Sequence, residues 1–211
     1  MKLYNYFRSS ASWRVRIGLA LKGLDCAYEP VHLVKNEQFG AAFSAQQVSH
    51  LVPALALDDG HWLSQSMAIL EYLDETHPEP PLLPRDAVGR AQVRALAQDI
   101  ACDIHPINNL RVLRYLKSDM GHDQAQIDGW YRHWVATGLA IVEHKLAQTA
   151  GAFSFGDAPG LADCLLVPQV YNAQRFECPL EAYPTVMRIN AACLALPAFA
   201  STHPDACPDA A

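Results

Sequence analysis

The chain has 211 residues, of which 51% are hydrophobic and 18% are charged. This composition is typical of a folded protein and excludes global disorder, and the length fits one large domain or two small ones. With 16 basic and 22 acidic residues, the formal net charge is −6. That balance argues against a general nucleic-acid binder, which would carry an excess of positive charge, so we expect a small molecule or a protein as the partner.

The spacing of the cysteines indicates whether a metal or redox motif is present, and the apolar runs indicate where in the cell the protein is expected. None of the six cysteines forms a Cys-x-x-Cys pair, so we expect no zinc ribbon, no dithiol redox motif and no other metal site. The N-terminus lacks the charged and then apolar segment of a signal peptide. No run reaches the ~18 apolar residues of a membrane span. We therefore expect a cytoplasmic protein that contacts no membrane, with its cysteines as free, buried thiols.

The N-terminal residues alternate between patterns typical of strands and of helices, in the order β-α-β-α-β-β-α. Short apolar runs indicate strands, serines ahead of apolar residues spaced four apart indicate a helix start, and an Asp-Asp-Gly turn indicates a hairpin. The predicted elements are strands at 3–7 and 27–31, a helix from Ser9 to Gly23, a short helix at 37–45, a hairpin at 54–63 and a helix from Ser66 to before Pro78.

A proline-rich stretch at 77–85 is expected to be a linker, because dense prolines block helix formation and stiffen an extended chain. The residues after it have helical periodicity. We therefore expect an α/β domain over 1–80 and an all-helical domain over 86–211. The predicted helical elements are a long helix from Asp86 through Ile107 with a bend at Pro106, a helix with the apolar stripe Ile127, Trp130, Trp134 and Ile141, helices at 161–176 and 182–196, and a frayed tail at 201–211.

The serines at 9–12 lie where the first strand turns into the first helix. A helix N-terminus offers unpaired backbone N–H groups and the positive end of the helix dipole, which together favour an anion such as a thiolate. A free thiol titrates near ~8.5, and lowering that pKa by about two units requires ~2.7 kcal/mol. One hydroxyl hydrogen bond to the sulfur, together with the dipole, is sufficient for this. Taken alone, such serines are more often simple helix caps.

Two further features suit the rest of a peptide-like thiol. Ser66 follows Gln65 at a second helix start, where its N–H and hydroxyl suit a carboxylate. Val52 precedes Pro53 in an extended segment whose backbone could pair with a peptide as another strand would. Each feature is weak by itself, but their succession within one α/β domain indicates a site for a peptidic thiol.

These motifs resemble those of the glutathione transferases, and within them the zeta class with its maleylacetoacetate isomerases. Residues 8–16, Arg-Ser-Ser-Ala-Ser-Trp-Arg-Val-Arg, resemble the zeta signature Ser-Ser-Cys-x-Trp-Arg-Val-Arg. Residues 51–55 resemble the family segment whose proline is cis. Gln65-Ser66 resembles the motif that holds the γ-glutamyl end of glutathione. Residues 102–111 resemble a segment of bacterial maleylacetoacetate and maleylpyruvate isomerases. The likeness runs from Lys2 to about Leu196. It implies the glutathione transferase fold, an α/β thioredoxin-like N-terminal domain plus an all-α C-terminal domain.

The resemblance assigns roles to residues in both domains. Ser9 is implied to stabilise the glutathione thiolate, with Ser10 as the second candidate for a catalytic serine. Arg8, Arg175 and Arg111 are implied to bind substrate carboxylates, because a guanidinium group binds a carboxylate with two parallel hydrogen bonds. The implied glutathione contacts are Ser9, Ser10, Ala11, Ser12, Trp13, Arg14, Gln38, Val52, Gln65, Ser66, His105, Asn109, Leu110 and Arg111. The indole rings of Trp13, Trp130 and Trp134 are expected to lie in the core.

Three departures from the family pattern stand out. Ala11 replaces the cysteine of the signature, which we expect to be tolerated because the attacking sulfur belongs to glutathione. Gln47-Val48 replaces the usual Asn-Pro ahead of the Val-Pro segment. Gly160 replaces the usual Ser or Thr that caps a helix in the second domain, and we expect Asp163 to reach back to the chain there.

The implied reaction is a glutathione-dependent cis–trans isomerisation of maleylacetoacetate to fumarylacetoacetate. The thiolate adds to the double bond, the resulting single bond rotates, and glutathione leaves unchanged. Maleylpyruvate is the second possible substrate, and Leu110 in place of a further arginine favours maleylacetoacetate. The same motifs also suit a general zeta-class transferase acting on haloacids and, least favoured, a non-catalytic module for protein interaction. The family further implies a homodimer.

Overall fold

The computed structural model describes residues 1–210, and it divides the chain into two compact units. The first unit comprises Met1–Leu82 and Leu194–Ala211, and the second comprises Leu83–Cys193. The division at Leu82 falls inside the expected 77–85 linker. The residues from Leu194 onward group with the first unit, whereas we expected them to belong to the helical domain over 86–211.

The first unit is built on a four-stranded sheet with strand order β2-β1-β3-β4. β1 is parallel to β2 and antiparallel to β3, and β3 is antiparallel to β4. The predicted order of elements is confirmed, except that the helix expected at 37–45 is split into a 3₁₀ turn at Glu37–Phe39 and a short α2. The elements are β1 (Lys2–Asn5), α1 (Ser10–Leu21), β2 (Ala27–Pro30), α2 (Ala41–Ser44), β3 (Ala54–Ala56), β4 (Trp62–Ser64) and α3 (Ser66–Thr76).

α1 and α3 pack closely against each other because Gly18 leaves no side chain between them. A Cβ atom at Gly18 would lie 2.2 Å from Cδ2 of Leu70. That separation is far below van der Waals contact, so any side chain at this position would require the buried Leu70 to move. Beside this contact, fully buried residues of α1 and α3 such as Val15 and Ile69 form an apolar cluster with Leu3 of β1 and Leu55 of β3. The start of α1 is thereby held in a fixed place relative to the start of α3.

The second unit is helical, and its first helix begins where the sequence predicts. The Oδ1 atom of Asp86 accepts a hydrogen bond of 2.7 Å from the amide of Gly89, which caps the helix N-terminus. The helices are α4 (Ala87–Gln98), α5 (Leu110–Ser118), α6 (Gln124–Thr149), α7 (Leu161–Arg175) and α8 (Pro184–Leu194). None of the helices within residues 1–210 combines the length and the apolar sequence that crossing a membrane requires.

The segment around Pro106 ends the helix instead of bending it. The chain leaves α4 through a π-helical turn at Asp99–Ile104 and a 3₁₀ turn at Pro106–Asn108, and α5 then begins as a separate helix. Proline has no N–H to donate and its ring clashes with the carbonyl four residues earlier, so it kinks or ends an α-helix, and here the helix ends. The prediction of a bent, continuous helix is therefore wrong. The π-helical turn ends directly before His105.

The apolar stripe predicted for α6 is wrong except at Ile127. Trp130 and Trp134 are only partly buried, and Ile141 is 47% exposed. The buried face instead runs through Ile127, Tyr131, Val135, Gly138, Leu139, Val142 and Leu146. This face has the same helical period, but after Ile127 each of its residues lies one position later than in the predicted stripe. The periodicity alone did not distinguish the buried face from the predicted one.

Glu143 of α6 caps the start of α8 with two backbone hydrogen bonds. Its carboxylate oxygens accept from the amide of Thr185 at 3.0 Å and from the amide of Val186 at 2.9 Å. Burial alone would raise the pKa of Glu143. The hydrogen bond from the Thr185 side chain, the two backbone bonds and the charge of Arg188 outweigh it and hold the pKa below its ordinary value.

A lowered pKa in the folded state makes this contribution to stability dependent on pH. It is present above the unfolded-state pKa of ~4.3 and is lost as the pH falls through the folded-state pKa. We expect Glu143→Gln to lower the melting temperature at neutral pH, and we expect the difference from the unmodified protein to shrink in acid. A constant difference across that range of pH, measured by thermal denaturation, would contradict this prediction.

The C-terminal residues are packed, not frayed. They form α9 (Pro197–Ala200) and a 3₁₀ turn at Pro204–Ala206. The indole Nε1 of Trp13 donates to Oγ1 of Thr202 at 3.1 Å, and Cys207 is only 9% exposed. The expected frayed tail is therefore wrong for residues 201–210, and residue 211 lies outside the described residues.

All six cysteines are free thiols in the structure, as predicted. Burial was expected for all of them, but Cys102 is exposed and Cys26 is only partly buried. Within residues 1–210, no cluster of three or more His, Cys, Asp or Glu side chains is arranged to hold a metal ion.

Candidate active site

Ser9 lies at the N-terminus of α1 with an extended backbone, and its hydroxyl oxygen caps the helix. Its Oγ accepts from the amide of Ser12 at 3.2 Å, and its own amide donates to the carbonyl of Tyr6 at 2.9 Å. The cap uses a lone pair of the Ser9 oxygen and not its proton, so the hydroxyl can still donate to an anion. The positive end of the helix dipole lies at the same place. This turn therefore combines the two features that stabilise a thiolate.

The neighbouring residues of the turn differ in accessibility. Ser10 is 4% exposed and Ser12 is 0% exposed, whereas Ser9 and Ala11 are partly exposed. The ring of Trp13 is 1% exposed, as expected for a core residue, so its side chain contributes to packing. Of the two candidate catalytic serines, Ser9 is thus the more accessible to a ligand.

The start of α3 is joined to α1 by a buried hydrogen bond that sequence reasoning missed. Nη1 of Arg14 donates to Oγ of Ser66 at 3.2 Å. We predicted that both residues contact glutathione, but no signal in the sequence indicates that they contact each other across 52 positions. Because Ser66 accepts from Arg14, its hydroxyl proton is directed to another acceptor, which suits a carboxylate at this helix N-terminus.

Gln65, immediately before α3, has a backbone φ of 68° and ψ of 116°. A positive φ is uncommon for a residue with a side chain and is found mostly where the surrounding structure requires it, often at binding sites. Val52 is 8% exposed and is joined to Pro53 by a cis peptide bond, as the resemblance implies. The cis peptide at Pro53 matches what the resemblance implies, whereas the positive φ at Gln65 was not predicted from the sequence.

Gln38 lies in the 3₁₀ turn at Glu37–Phe39 and is 5% exposed. Its Oε1 is buried and has no hydrogen-bond donor among residues 1–210. Buried amide groups are normally satisfied, so an unpaired oxygen points to a donor supplied by water or by a ligand. The backbone carbonyl of Gln38 is separately bonded to Nδ1 of His50 at 3.1 Å, which fixes the turn.

The candidate glutathione residues of the second unit lie around the start of α5. Asn109 is its N-cap, and Oδ1 of Asn109 accepts from the amide of Val112 at 3.3 Å. His105 ends the π-helical turn, with its amide donating to the carbonyl of Ile100 at 2.9 Å. Leu110 is 40% exposed and Arg111 is also exposed. Asn109 therefore has a structural role whether or not it binds a ligand.

The three candidate arginines are not fully buried. The guanidinium carbon of Arg8 lies 4.8 Å from the ring centre of Phe7. That of Arg175, at the end of α7, lies 5.8 Å from the ring of Tyr171 and 5.9 Å from the ring of Phe176. A guanidinium that rests on aromatic rings keeps its N–H groups directed sideways, where a carboxylate can accept them.

Residues 8–76 match the protein family described as "Glutathione S-transferase, N-terminal domain". The chain is 50% identical to a maleylpyruvate isomerase of a Ralstonia species, with full coverage of both chains. It is 47% identical to the maleylacetoacetate isomerase of Pseudomonas aeruginosa, over 99% of this chain and 98% of that protein. A solved maleylpyruvate isomerase described as a bacterial zeta-class glutathione transferase matches with a TM-score of 0.97 and 49% identity over all of both chains. This chain belongs to the zeta-class glutathione transferases.

Membership of the zeta class confirms the fold class expected from the sequence. The thioredoxin-like sheet of the first unit and the helical second unit are the glutathione transferase architecture. A maleylacetoacetate isomerase from Anaeromyxobacter dehalogenans has been solved with glutathione in its active site, and it matches this transferase with a TM-score of 0.91 and 51% identity over 100% of this chain and 97% of that one.

Proposed function

We propose that this zeta-class transferase is a glutathione-dependent cis–trans isomerase that converts maleylacetoacetate to fumarylacetoacetate. The accessible hydroxyl of Ser9 at the N-terminus of α1 carries the proposal, because it supplies the thiolate-stabilising group that the reaction needs. The identity of about half of all residues to maleylacetoacetate and maleylpyruvate isomerases supports it.

Glutathione, when bound, supplies the thiol whose ionised form adds reversibly to the double bond. The role of Ser9 is to donate its hydroxyl proton to the sulfur and so favour the thiolate, with the dipole of α1 contributing in the same direction. Ser10 is the second candidate for this role. Ala11, in place of the family cysteine, leaves the arrangement intact because the chain itself supplies no reacting sulfur.

The peptide part of glutathione is held by groups of the first unit. We assign its γ-glutamyl carboxylate to the N-terminus of α3, with Gln65 and Ser66, and its backbone to the extended segment at Val52. The unpaired Oε1 of Gln38 is an acceptor for an N–H of the bound peptide. The α/β domain is thereby the glutathione-binding domain, and His105, Asn109, Leu110 and Arg111 are the contacts proposed for the helical domain.

The substrate is a dicarboxylate, and its recognition is assigned to arginines. Arg175 is the first candidate because its guanidinium is held over two aromatic rings, and Arg8 and Arg111 are the others. Positive charge at the carboxylate also stabilises the negative charge that develops on the substrate as the sulfur adds.

Maleylpyruvate is the second candidate substrate, because the Ralstonia relative that is 50% identical to this chain is a maleylpyruvate isomerase. The same thiolate would also serve a transferase that conjugates glutathione to haloacids. A non-catalytic module is the least favoured of these functions, since Ser9, Ser66 and Arg175 are all present.

The test is to give the purified protein maleylacetone or maleylpyruvate and to follow ultraviolet absorbance with and without glutathione. We expect conversion of at least one substrate that depends on glutathione and consumes none of it. Stoichiometric loss of glutathione with dichloroacetate, and no isomerisation of either maleyl compound, would instead support the haloacid transferase.

Replacing Arg175 is expected to weaken binding of the dicarboxylate. We expect Arg175→Gln to raise the KM for maleylacetone about 10-fold, equivalent to ~1.4 kcal/mol, because a charge-assisted bidentate contact is lost. The matched control is Arg188→Gln on α8, since the Arg188 guanidinium is exposed and donates to the backbone carbonyl of Ala152 at 3.2 Å. If the two variants give the same KM, Arg175 does not bind the substrate.

We further propose that the protein is a cytoplasmic homodimer, as its family implies. Exposed apolar side chains in the first unit, such as Phe39 at 59% and Val34 at 60%, are consistent with burial against another subunit. Light scattering coupled to size-exclusion chromatography measures the assembly directly, and a monomer at all accessible concentrations would contradict the proposal.

A further inference from the structure

The segment Thr202–Asp209, here called the C-terminal strap, contacts the turn Tyr6–Ser9, here called the catalytic turn. Both belong to the first unit of the structure. The strap lies about 190 to 200 residues away in sequence, and neither it nor any contact it makes was among the expected site features. The contacts are hydrogen bonds to backbone groups of the turn and to the side chains that hold it.

Asp209 bonds the catalytic turn directly. Its Oδ2 accepts from the amide of Phe7 at 3.2 Å, and its Oδ1 accepts a hydrogen bond from the hydroxyl of Tyr28 in β2. Burial, and then the bond to Asp209, raise the pKa of Tyr28 above its ordinary value, so this phenol remains a donor. One carboxylate thus ties the sheet to the residue that lies two positions before Ser9.

Arg16 of α1 holds the same residue from the other side. Its Nη2 donates to the carbonyl of Phe7 at 3.0 Å, and its Nε donates to the carbonyl of Thr202 at 3.3 Å. The Oγ1 of Thr202 in turn accepts from the indole of Trp13. Both backbone polar groups of Phe7 are therefore bonded, the amide to the strap and the carbonyl to an arginine that the strap also contacts.

We propose that Asp209 is a positioning residue for the isomerase reaction, acting through the amide of Phe7. Arg8 and Ser9 follow Phe7 directly in the chain. The orientation of the Phe7 backbone therefore sets the positions from which the Arg8 guanidinium, a candidate carboxylate-binding group, and the Ser9 hydroxyl, the proposed thiolate-stabilising group, extend. Asp209 is not among the residues assigned above to glutathione or to the substrate. This proposal rests on the proposed function, but the backbone contact that carries it is independent of any ligand.

Losing this contact should slow the reaction and not merely lower the stability of the fold. A displacement of about 1 Å at a reacting group is enough to reduce a rate by ~100-fold. The bonds that Asp209 makes are part-buried and reach Phe7 and Tyr28. These two residues pack in an apolar cluster with Cys207 of the strap, which is separate from the cluster formed by α1 and α3.

The experiment compares Asp209→Ala with Asp205→Ala, a matched change of an aspartate within the strap. The carboxylate of Asp205 is 79% exposed and pairs only with His203 of the strap itself, at 3.5 Å. The first readout is amide hydrogen exchange at Phe7 and Ser9 in the protein without glutathione. The second is the dissociation constant for glutathione together with its thiol pKa in the complex, and the third is kcat and KM for isomerisation.

We expect Asp209→Ala to speed exchange at Phe7, to raise the thiol pKa of bound glutathione, and to lower kcat about 10- to 100-fold. Asp205→Ala should change none of these. We expect Asp209→Asn to recover most of kcat, since its amide oxygen can accept from Phe7 while its NH₂ group donates to the oxygen of Tyr28. Should Asp209→Ala fail to fold, Asp209→Asn and Tyr28→Phe carry the same comparison, with Tyr28→Phe removing one of the two anchors of the carboxylate.

Unchanged exchange at Phe7, or faster exchange with an unaltered thiol pKa and kcat, would overturn the positioning role. An inactive unmodified protein would overturn the proposed isomerase function alone. In that case exchange and glutathione binding still decide whether the strap positions the catalytic turn.

Discussion

Replacing Ser9 by alanine is expected to lower kcat/KM for glutathione-dependent isomerisation by up to about 100-fold. The hydroxyl and the dipole of α1 together are assigned about two units of lowering of the thiol pKa, which is ~2.7 kcal/mol or a factor of ~100, and the variant loses the part that the hydroxyl supplies. The loss should be largest near neutral pH and should diminish at alkaline pH, where the thiol ionises without help. The rate of maleylacetone isomerisation by both proteins, measured from neutral to alkaline pH, tests this expectation.

Two control variants separate the chemistry from the capping role of Ser9. Alanine at an N-cap costs about 1 kcal/mol of stability, whereas glycine costs only a few tenths, so Ser9→Gly removes the hydroxyl while nearly preserving the helix. We expect Ser9→Gly to be as slow as Ser9→Ala. If Ser10→Ala were the disabling change and Ser9→Gly retained its rate, the buried Ser10 would be the activating residue instead.

Replacing Asp163 by alanine is expected to lower the free energy of unfolding by about 3 kcal/mol, because buried donors would be left without an acceptor. Asp163 is 1% exposed. Its Oδ2 accepts from the amide of Gly160 at 2.8 Å, and its Oδ1 accepts from the amide and the hydroxyl of Ser154 at 3.0 Å and 2.7 Å. The bond to Gly160 is the reach back to the chain that the sequence predicts, whereas the bonds to Ser154 were not foreseen.

A second capping aspartate provides the comparison for Asp163. Asp86 caps α4 through the amide of Gly89 but is exposed, so Asp86→Ala is expected to cost only about 1 kcal/mol. Denaturant unfolding of both variants measures the difference. Equal destabilisation would mean that the buried bonds to Ser154 contribute nothing beyond an ordinary helix cap.

Much of the first unit follows from local sequence patterns. The serines before α1, the Asp-Asp-Gly turn between β3 and β4 and the start of α3 at Ser66 each depend on neighbours within a few residues, and each was predicted correctly. Such signals act through backbone geometry and capping, which a short segment carries by itself. The family motifs lie on these same elements, which is why candidate ligand residues could be named before their arrangement was known.

The second unit shows where local patterns fail. A helical period does not say which of two adjacent faces of α6 is buried, and packing against neighbouring elements chose Tyr131 and Val135 over Trp130 and Trp134. At Pro106 the sequence shows that the helix is interrupted but not how. A proline can bend a helix or end it, and the path of the chain beyond it decides which.

The amino-acid order alone therefore predicts the element order of the first unit, the family and the candidate residues of the site. The tertiary structure decides which residues contact one another. Arg14 hydrogen-bonds Ser66, which is 52 positions away, and Asp209 hydrogen-bonds Phe7, which is 202 positions away. No periodicity, turn or cap encodes contacts between groups so far apart in the chain. They exist because burial of the core brings the two segments together and because polar groups enclosed there must find partners.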